Sequence, residues 1–288
     1  QYALLTNRNG GVVDDCTVYC LNNEEYFVLV NAGNIEKDFA WMARYASGFD
    51  VTLGKETQYG GMLALQGPRA EKVLAKCLAG EPFPAMGKYT FRMAFAGGCP
   101  VVVSRTGYTG EDGFEILCEH AFLPYLWNML LTTGSSDGIR PCGLGARDLL
   151  RLEAWMPLYG HELTEERGPL EANLRWTTNL EKPQFFIGRT ALERAWTLGS
   201  RESLIGLKTE DRGAIIRPEC EIATGDGVTI GQVTSGAPYP NDTSFGMGFV
   251  ERNKEIVPGT PIQVLIHKKW RPAIVVERKF IGAPKEAC

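Results

Sequence analysis

Asn7-Arg8-Asn9-Gly10-Gly11-Val12-Val13-Asp14-Asp15 follows the apolar run Tyr2-Ala3-Leu4-Leu5 and precedes Cys16-Thr17-Val18-Tyr19-Cys20-Leu21. Asn and Gly tolerate the positive φ of a tight hairpin, so the stretch reads as strand, glycine turn, strand. Side chains alternate along a strand. Asp14 is thereby expected on one face with Val12, Cys16, Val18 and Cys20, and Asp15 on the other with Val13, Thr17 and Tyr19. A carboxylate in the more apolar stripe is costly unless hydrogen-bonded or bound to something. Two readings stand: the aspartates bond turn amides, or Asp14 is a buried acid facing a ligand cavity while Asp15 makes structural hydrogen bonds.

At 288 residues the chain exceeds one ordinary core, so two or three domains are expected. With 44% hydrophobic and 22% charged residues it has the composition of an ordinary globular protein. No apolar run approaches the roughly 20 residues needed to cross a bilayer, and no membrane role is expected. A net charge of −4 argues against a nucleic-acid partner, which would want a clustered basic surface. The 8 cysteines form no CxxC pair and the 3 histidines lie apart from them, so no metal site is expected. Free thiols in a reducing compartment such as the cytoplasm are the reading. The chain has no starting Met and no signal peptide, and its first residues already read as the middle of a strand. An N-terminal part of the first domain is therefore expected to precede it.

Taken in order, the pattern predicts strands at Glu25–Val30, Asp50–Leu53 and Gly61–Gln66, with amphipathic helices at Ile35–Ser47 and Arg69–Leu78. A strand at Pro100–Ser104 leads through Arg105-Thr106-Gly107-Tyr108-Thr109-Gly110-Glu111-Asp112-Gly113 into another at Phe114–Cys118, where Glu115 faces opposite to its neighbours. Helices follow at Ala121–Leu131 and after Pro141-Cys142-Gly143-Leu144-Gly145-Ala146-Arg147-Asp148. The stretch Asn179–Ser200, with a helix at Arg189–Trp196, reads as a connection. From about Leu204, strand-like runs at Leu204–Lys208, Gly231–Ser235, Gly246–Val250, Pro261–His267 and Ala273–Glu277 alternate with turns at Asp226-Gly227, Ser235-Gly236, Pro240-Asn241-Asp242 and Val257-Pro258-Gly259. That predicts a small antiparallel barrel or sandwich. The class is α+β, antiparallel throughout, with domains at 1–90, 91–200 and 201–288 and no doubly wound sheet.

The glycine-rich loop 105–113 runs into a strand rather than a helix, which disfavours phosphate and favours a tight, bulged structural loop. Arg147 and Arg151 fall on one helix face, either as solvated ion-pair partners or as a bidentate clamp for a planar acceptor. His161 has no visible catalytic partner and reads as structural. Trp155, Tyr159 and Trp176 read as core aromatics or as a stacking surface for a flat heterocycle.

These motifs, in this order, resemble the aminomethyltransferases, the T-proteins of the glycine cleavage system. The match runs from Tyr2 and Asn7-x-x-Gly10-Gly11-Val12-x-Asp14-Asp15 through Asn31-Ala32-Gly33 with Glu36-Lys37-Asp38, Leu65-Gln66-Gly67-Pro68 and Arg105–Glu115. It continues through Pro141–Ala154, Leu158-Tyr159-Gly160, Phe186-Ile187-Gly188-Arg189 and Val233-Thr234-Ser235-Gly236. The resemblance implies a cloverleaf of α+β domains around a central folate cavity, ending in a C-terminal antiparallel β-barrel. It implies transfer of a methylene group from the aminomethylated lipoyl arm of an H-protein to tetrahydrofolate, with release of ammonia and no metal, in the cytoplasm or, in a eukaryote, the mitochondrial matrix. Carried over, Asp14 is the catalytic carboxylate at the reacting pterin nitrogens, Glu115 and Arg147 contact folate, and Tyr2, Asn31, Tyr108 and Trp176 line the pocket. Trp155 and Arg175 depart from the family pattern, standing where glycine is usual, and are expected to bring bulk and charge near the pocket. The alternative is another folate-dependent one-carbon transferase or demethylase of this fold, or a non-catalytic folate-binding maintenance factor.

Overall fold

Gly10 takes φ of 87°, a left-handed conformation that costs glycine little, and Asn7 Oδ1 accepts the Asn9 and Gly11 amides at 2.9 and 3.1 Å. This turn joins β1 (Tyr2–Thr6) to β2 (Val12–Cys20), and β3 (Tyr26–Val30) completes an antiparallel sheet in the order β1-β2-β3. The computed structural model describes residues 1–56, 60–78, 85–239, 243–252 and 256–277.

After β3 come α1 (Ile35–Ala46), β4 (Gly61–Gln66), α2 (Ala70–Cys77), β5 (Phe91–Ala96), β6 (Cys99–Ser104), β7 (Gly113–Cys118), α3 (Leu123–Thr133), α4 (Leu144–Glu153) and α5 (Arg189–Leu198). The last part is β8 (Glu202–Thr209), β9 (Glu221–Thr224), β10 (Thr229–Tyr239), β11 (Thr243–Glu251), β12 (Pro261–Ile266) and β13 (Lys269–Val276). Backbone contacts divide the chain into two compact units, Tyr2–Asp38 with Arg151–Cys288, and Phe39–Leu150 with Gln1. Every pairing between these strands is antiparallel.

In the unit built on Phe39–Leu150, a four-stranded sheet in the order β4-β7-β6-β5 carries α2 and α3. Its core is Leu74, Val101, Val103, Phe114, Ile116 and Leu126, all buried. In the other unit, β10-β11-β8-β13-β12-β9 close into a barrel, which removes free sheet edges. Leu207, Ile216, Ile222 and Val264 fill it, each fully buried. The predicted C-terminal barrel is therefore observed.

A bulge changes the faces of the first hairpin. Thr6 pairs with Val12 and Leu5 with Asp14, leaving Val13 as an extra residue in β2. One inserted residue reverses the alternation across it. Val12 thus lies with Leu4 and Tyr2, packing on Leu163, Ala172 and Leu174, and not with Asp14 as strict alternation implies. Asp14 keeps Cys16 on its own face and is fully buried, whereas Cys20 is exposed.

A second bulge, at Thr234, falls between the pairs Val233–Gly248 and Ser235–Met247. Consecutive hydroxyls that would otherwise point apart both reach Glu162 Oε1, Thr234 Oγ1 at 2.5 Å and Ser235 Oγ at 2.6 Å. Glu162 Oε2 accepts from Arg151 Nη1 at 3.1 Å and from the Leu158 amide at 2.9 Å. Arg151 Nη2 in turn donates to Ser235 Oγ at 2.8 Å. A satisfied buried network thus fastens the segment after α4 to the barrel.

Other expectations need correction. Asp50–Leu53 is not a strand: Val51 and Leu53 are exposed, and no described strand pairs with them. Ser235-Gly236 is not a turn, because the Thr234 bulge lets β10 run through it. β5 and β9 were not expected; the first carries apolar residues on both faces as an edge strand, and the second has only 4 residues. The turn at Pro240-Asn241-Asp242 and Cys288 lie outside the described residues.

Candidate functional site

The candidate residues fall into two groups, one in each unit. The first is built where β2, the start of α1 and the turn before it meet. Asp14, 0% exposed, accepts Asn31 Nδ2 and Asn34 Nδ2 at 2.9 Å each on Oδ1, and the Asn31 amide at 3.4 Å on Oδ2. Three donors on one carboxylate offset the cost of burying it. Asn31 Nδ2 also reaches Asp15 Oδ1 at 2.9 Å, and Tyr2 donates to Asp15 Oδ2 at 3.1 Å. The Asp15 carboxyl is pushed up by burial, an effect that the hydrogen bond from Asn31 opposes. The Tyr2 ring stacks on Trp176 at 5.8 Å and 29°, leaving the indole exposed. Asp14, Tyr2, Asn31 and Trp176 thus belong to one unit, with Asp15 held by structural hydrogen bonds.

Sequence reasoning did not single out three neighbours of Asp14. Asn34 is one of its donors. Lys37 Nζ donates to the carbonyl of the bulged Val13 at 2.5 Å and to Tyr159 Oη at 2.6 Å, so the bulge is braced by an ammonium. Asp38 is the third: it is 0% exposed, and neither carboxylate oxygen meets a donor among the described residues. Burial and the adjacent Asp14 push its carboxyl up to about 8. The signal was present in the helix, where Asp38 stands three residues after Ile35 and four before Met42, on the apolar stripe. Cys16 is inert in this setting, its thiol pushed up to about 12, mainly by burial.

The second group lies in the other unit, on the loop between β6 and β7 (Thr106, Tyr108), in β7 (Glu115) and on α4 (Arg147). Glu115 Oε2 accepts Thr106 Oγ1 at 2.5 Å. The Arg147 guanidinium sits 4.8 Å from the centre of the Tyr108 ring, a cation–π geometry. The glycine loop is structural: Gln66 Nε2 donates to the Thr106 and Phe114 carbonyls at 3.1 Å each, and a Cβ on Gly107 would lie 1.9 Å from Gln66 Oε1. Arg105 closes the loop on Asp112 through Nε and Nη2 at 3.0 and 2.6 Å. Its flanking strands pair without a register shift, so the expected bulges are absent from them.

Arg147 and Arg151 do not form the clamp their spacing allows. Arg151 is 1% exposed and committed to Glu162 and Ser235, and Arg147 alone remains exposed. His161 Nδ1 lies 2.8 Å from the Thr234 carbonyl, a structural contact as expected. Trp155 has φ of 62° and rests its ring on Gly206 of β8. The Arg175 guanidinium lies 4.7 Å from the centre of the Trp196 ring.

Chemically, the first group offers acceptor oxygens beside an aromatic stack, suited to the N–H edge of a flat heterocycle. The second offers a guanidinium and a carboxylate, suited to opposite charges and polar edges on a ligand.

Residues 1–182 match the family described as the GCVT N-terminal domain, and residues 203–281 match the glycine cleavage T-protein C-terminal barrel domain. An aminomethyltransferase of Symbiobacterium thermophilum is 41% identical over 295 residues, covering 99% of this chain and 76% of the relative. One of Moorella thermoacetica is 42% identical over 286 residues, covering 99% and 77%. The crystal structure of the glycine cleavage system aminomethyltransferase T from Bartonella henselae superposes with a TM-score of 0.87 at 32% identity, covering 98% of this chain and 76% of that one.

Proposed function

Because the chain belongs to the aminomethyltransferase family of glycine cleavage T-proteins, we propose that it moves the methylene carbon of an aminomethyl-lipoyl H-protein onto tetrahydrofolate. The balance is simple. The carbon loses its bonds to nitrogen and to sulfur and gains two bonds to folate nitrogens. Two protons leave those nitrogens, one completing ammonia and one the lipoyl thiol. The products are 5,10-methylenetetrahydrofolate, ammonia and dihydrolipoyl H-protein.

The observation that carries this reading is the buried Asp14 carboxylate, held by Asn31 and Asn34 beside the Tyr2–Trp176 stack. Preorganised acceptor oxygens orient the pterin N–H edge and relay a proton when a nitrogen attacks. Asn31 supplies N–H groups where the pterin would supply its own, so substrate binding exchanges one set of donors for another. In this reading Arg147 and Glu115 bind folate, Arg147 through its positive charge and Glu115 as an acceptor oriented by Thr106. Tyr108 supports Arg147 and offers a ring face. The folate cavity and the division at residues 90 and 200 belong to the same proposal, and limited proteolysis checks the division.

Ammonia release from aminomethylated H-protein, with and without tetrahydrofolate, tests the reading. Folate-dependent ammonia release supports it. Folate binding without turnover would make the protein a binding factor, and turnover only with another one-carbon donor would reassign the substrate.

A further inference from the structure

Asp38 is the only fully buried residue of α1, and it is a carboxylic acid whose oxygens meet no donor among the described residues. A charged carboxylate so placed would forfeit its hydration with nothing in return, a cost that buried groups escape by becoming neutral. Its ionisable surroundings are Asp14, Asp15 and Cys16 on β2 and Lys37 on its own helix. Lys37 is turned to Val13 and Tyr159. Asp14, by contrast, already receives three N–H donors. The proton of the pair therefore resides on Asp38 and the negative charge on Asp14.

We propose that Asp38 is the positioning residue of this site, a neutral carboxylic acid whose O–H donates to the Asp14 carboxylate and holds it in the orientation that meets the substrate. The inference rests on the reading of Asp14 given above. It goes beyond that reading by assigning a second acid that touches no substrate. Burial together with Asp14 places the loss of the Asp38 proton near pH 8. Above that pH the site gains a second negative charge and loses the donor.

Infrared spectroscopy of the folate-free protein tests this without reference to activity. The carbonyl stretch of a protonated carboxylic acid is expected at neutral pH, fading as pH rises through about 8, and absent from Asp38→Asn. The absence of any such band from the wild-type protein at neutral pH, or its persistence in Asp38→Asn, overturns the proposal. Where ammonia release is measurable, the alkaline fall in wild-type kcat should vanish in Asp38→Asn, whose amide keeps an N–H donor without a titrating proton. Asp38→Ala, lacking any donor, should lose roughly tenfold or more of kcat across the whole pH range. A profile for Asp38→Asn superimposable on that of the wild type overturns the positioning role. A protein that shows the band but transfers no methylene leaves the acid pair standing and refutes only the assigned function.

Discussion

Arg151 and Glu162 form an ion pair at 3.1 Å with side chains only 2% and 0% exposed. Their mutual attraction is offset by lost hydration, so the pair is no large gain over apolar residues. Removing one partner is different, because it strands a charge. Arg151→Met or Glu162→Leu should each destabilise the protein by about 3–5 kcal/mol, and the double replacement should recover much of the loss. Denaturant unfolding of the two singles and the double measures this, and additive losses would refute the coupling.

Asp14→Asn retains the shape and an acceptor oxygen while losing the charge and the ability to take a proton. Turnover should fall about 10²–10⁴-fold, the scale of general acid–base catalysis, with a much smaller change in folate affinity. Arg147→Ala should do the reverse, raising the folate KM more than it lowers kcat. Normal turnover in Asp14→Asn would make this carboxylate purely structural.

The Asp137 carboxylate accepts Lys72 Nζ at 2.6 Å and also pairs with Lys76. These ammonium groups hold it at about 2, below its ordinary value of 3.8. A depressed carboxylate contributes stability that is present above the unfolded value and lost as pH falls toward the folded one. Unfolding followed between pH 4 and 2 should show that loss in the wild type and a shallower slope in Asp137→Asn.

Trp155 and Gly206 are a matched pair: a Cβ on Gly206 would lie 2.2 Å from Trp155 Cζ3. Gly206→Ala should therefore destabilise the wild type by about 1–3 kcal/mol, the scale of overpacking, and cost far less when Trp155 is Gly. Trp155→Gly alone relieves a positive φ but removes a large packed ring, so it should still destabilise. A thermal-unfolding cycle over the four proteins decides, and an equal cost of Gly206→Ala in both backgrounds would refute the pairing.

Local chemistry determined a good deal of this protein from its sequence. Asn-Gly turn chemistry located the first hairpin, helical patterning located the five α-helices of the described residues, and regular turn signals located the C-terminal barrel. Each depends on residues close in the chain, whose φ preferences and side-chain period act whatever lies across the core. The ordered motifs placed Asp14 in an aminomethyltransferase. A Gly97-Gly98 turn signal was also present between β5 and β6, and both glycines have positive φ.

Tertiary structure alone decided the rest. A bulge is a mismatch between two strands, so neither the Val13 nor the Thr234 bulge is written in one strand's alternation. The first moves Val12 away from Asp14, and the second gathers two hydroxyls on Glu162. Arg147 and Arg151 are equivalent by helical spacing, yet one lies over Tyr108 and the other is buried against Glu162. Only the packing of α1 reveals Asp38 as a buried acid that meets no donor among the described residues. Long-range partners set the cost of burying a charge, and only the folded chain brings them together.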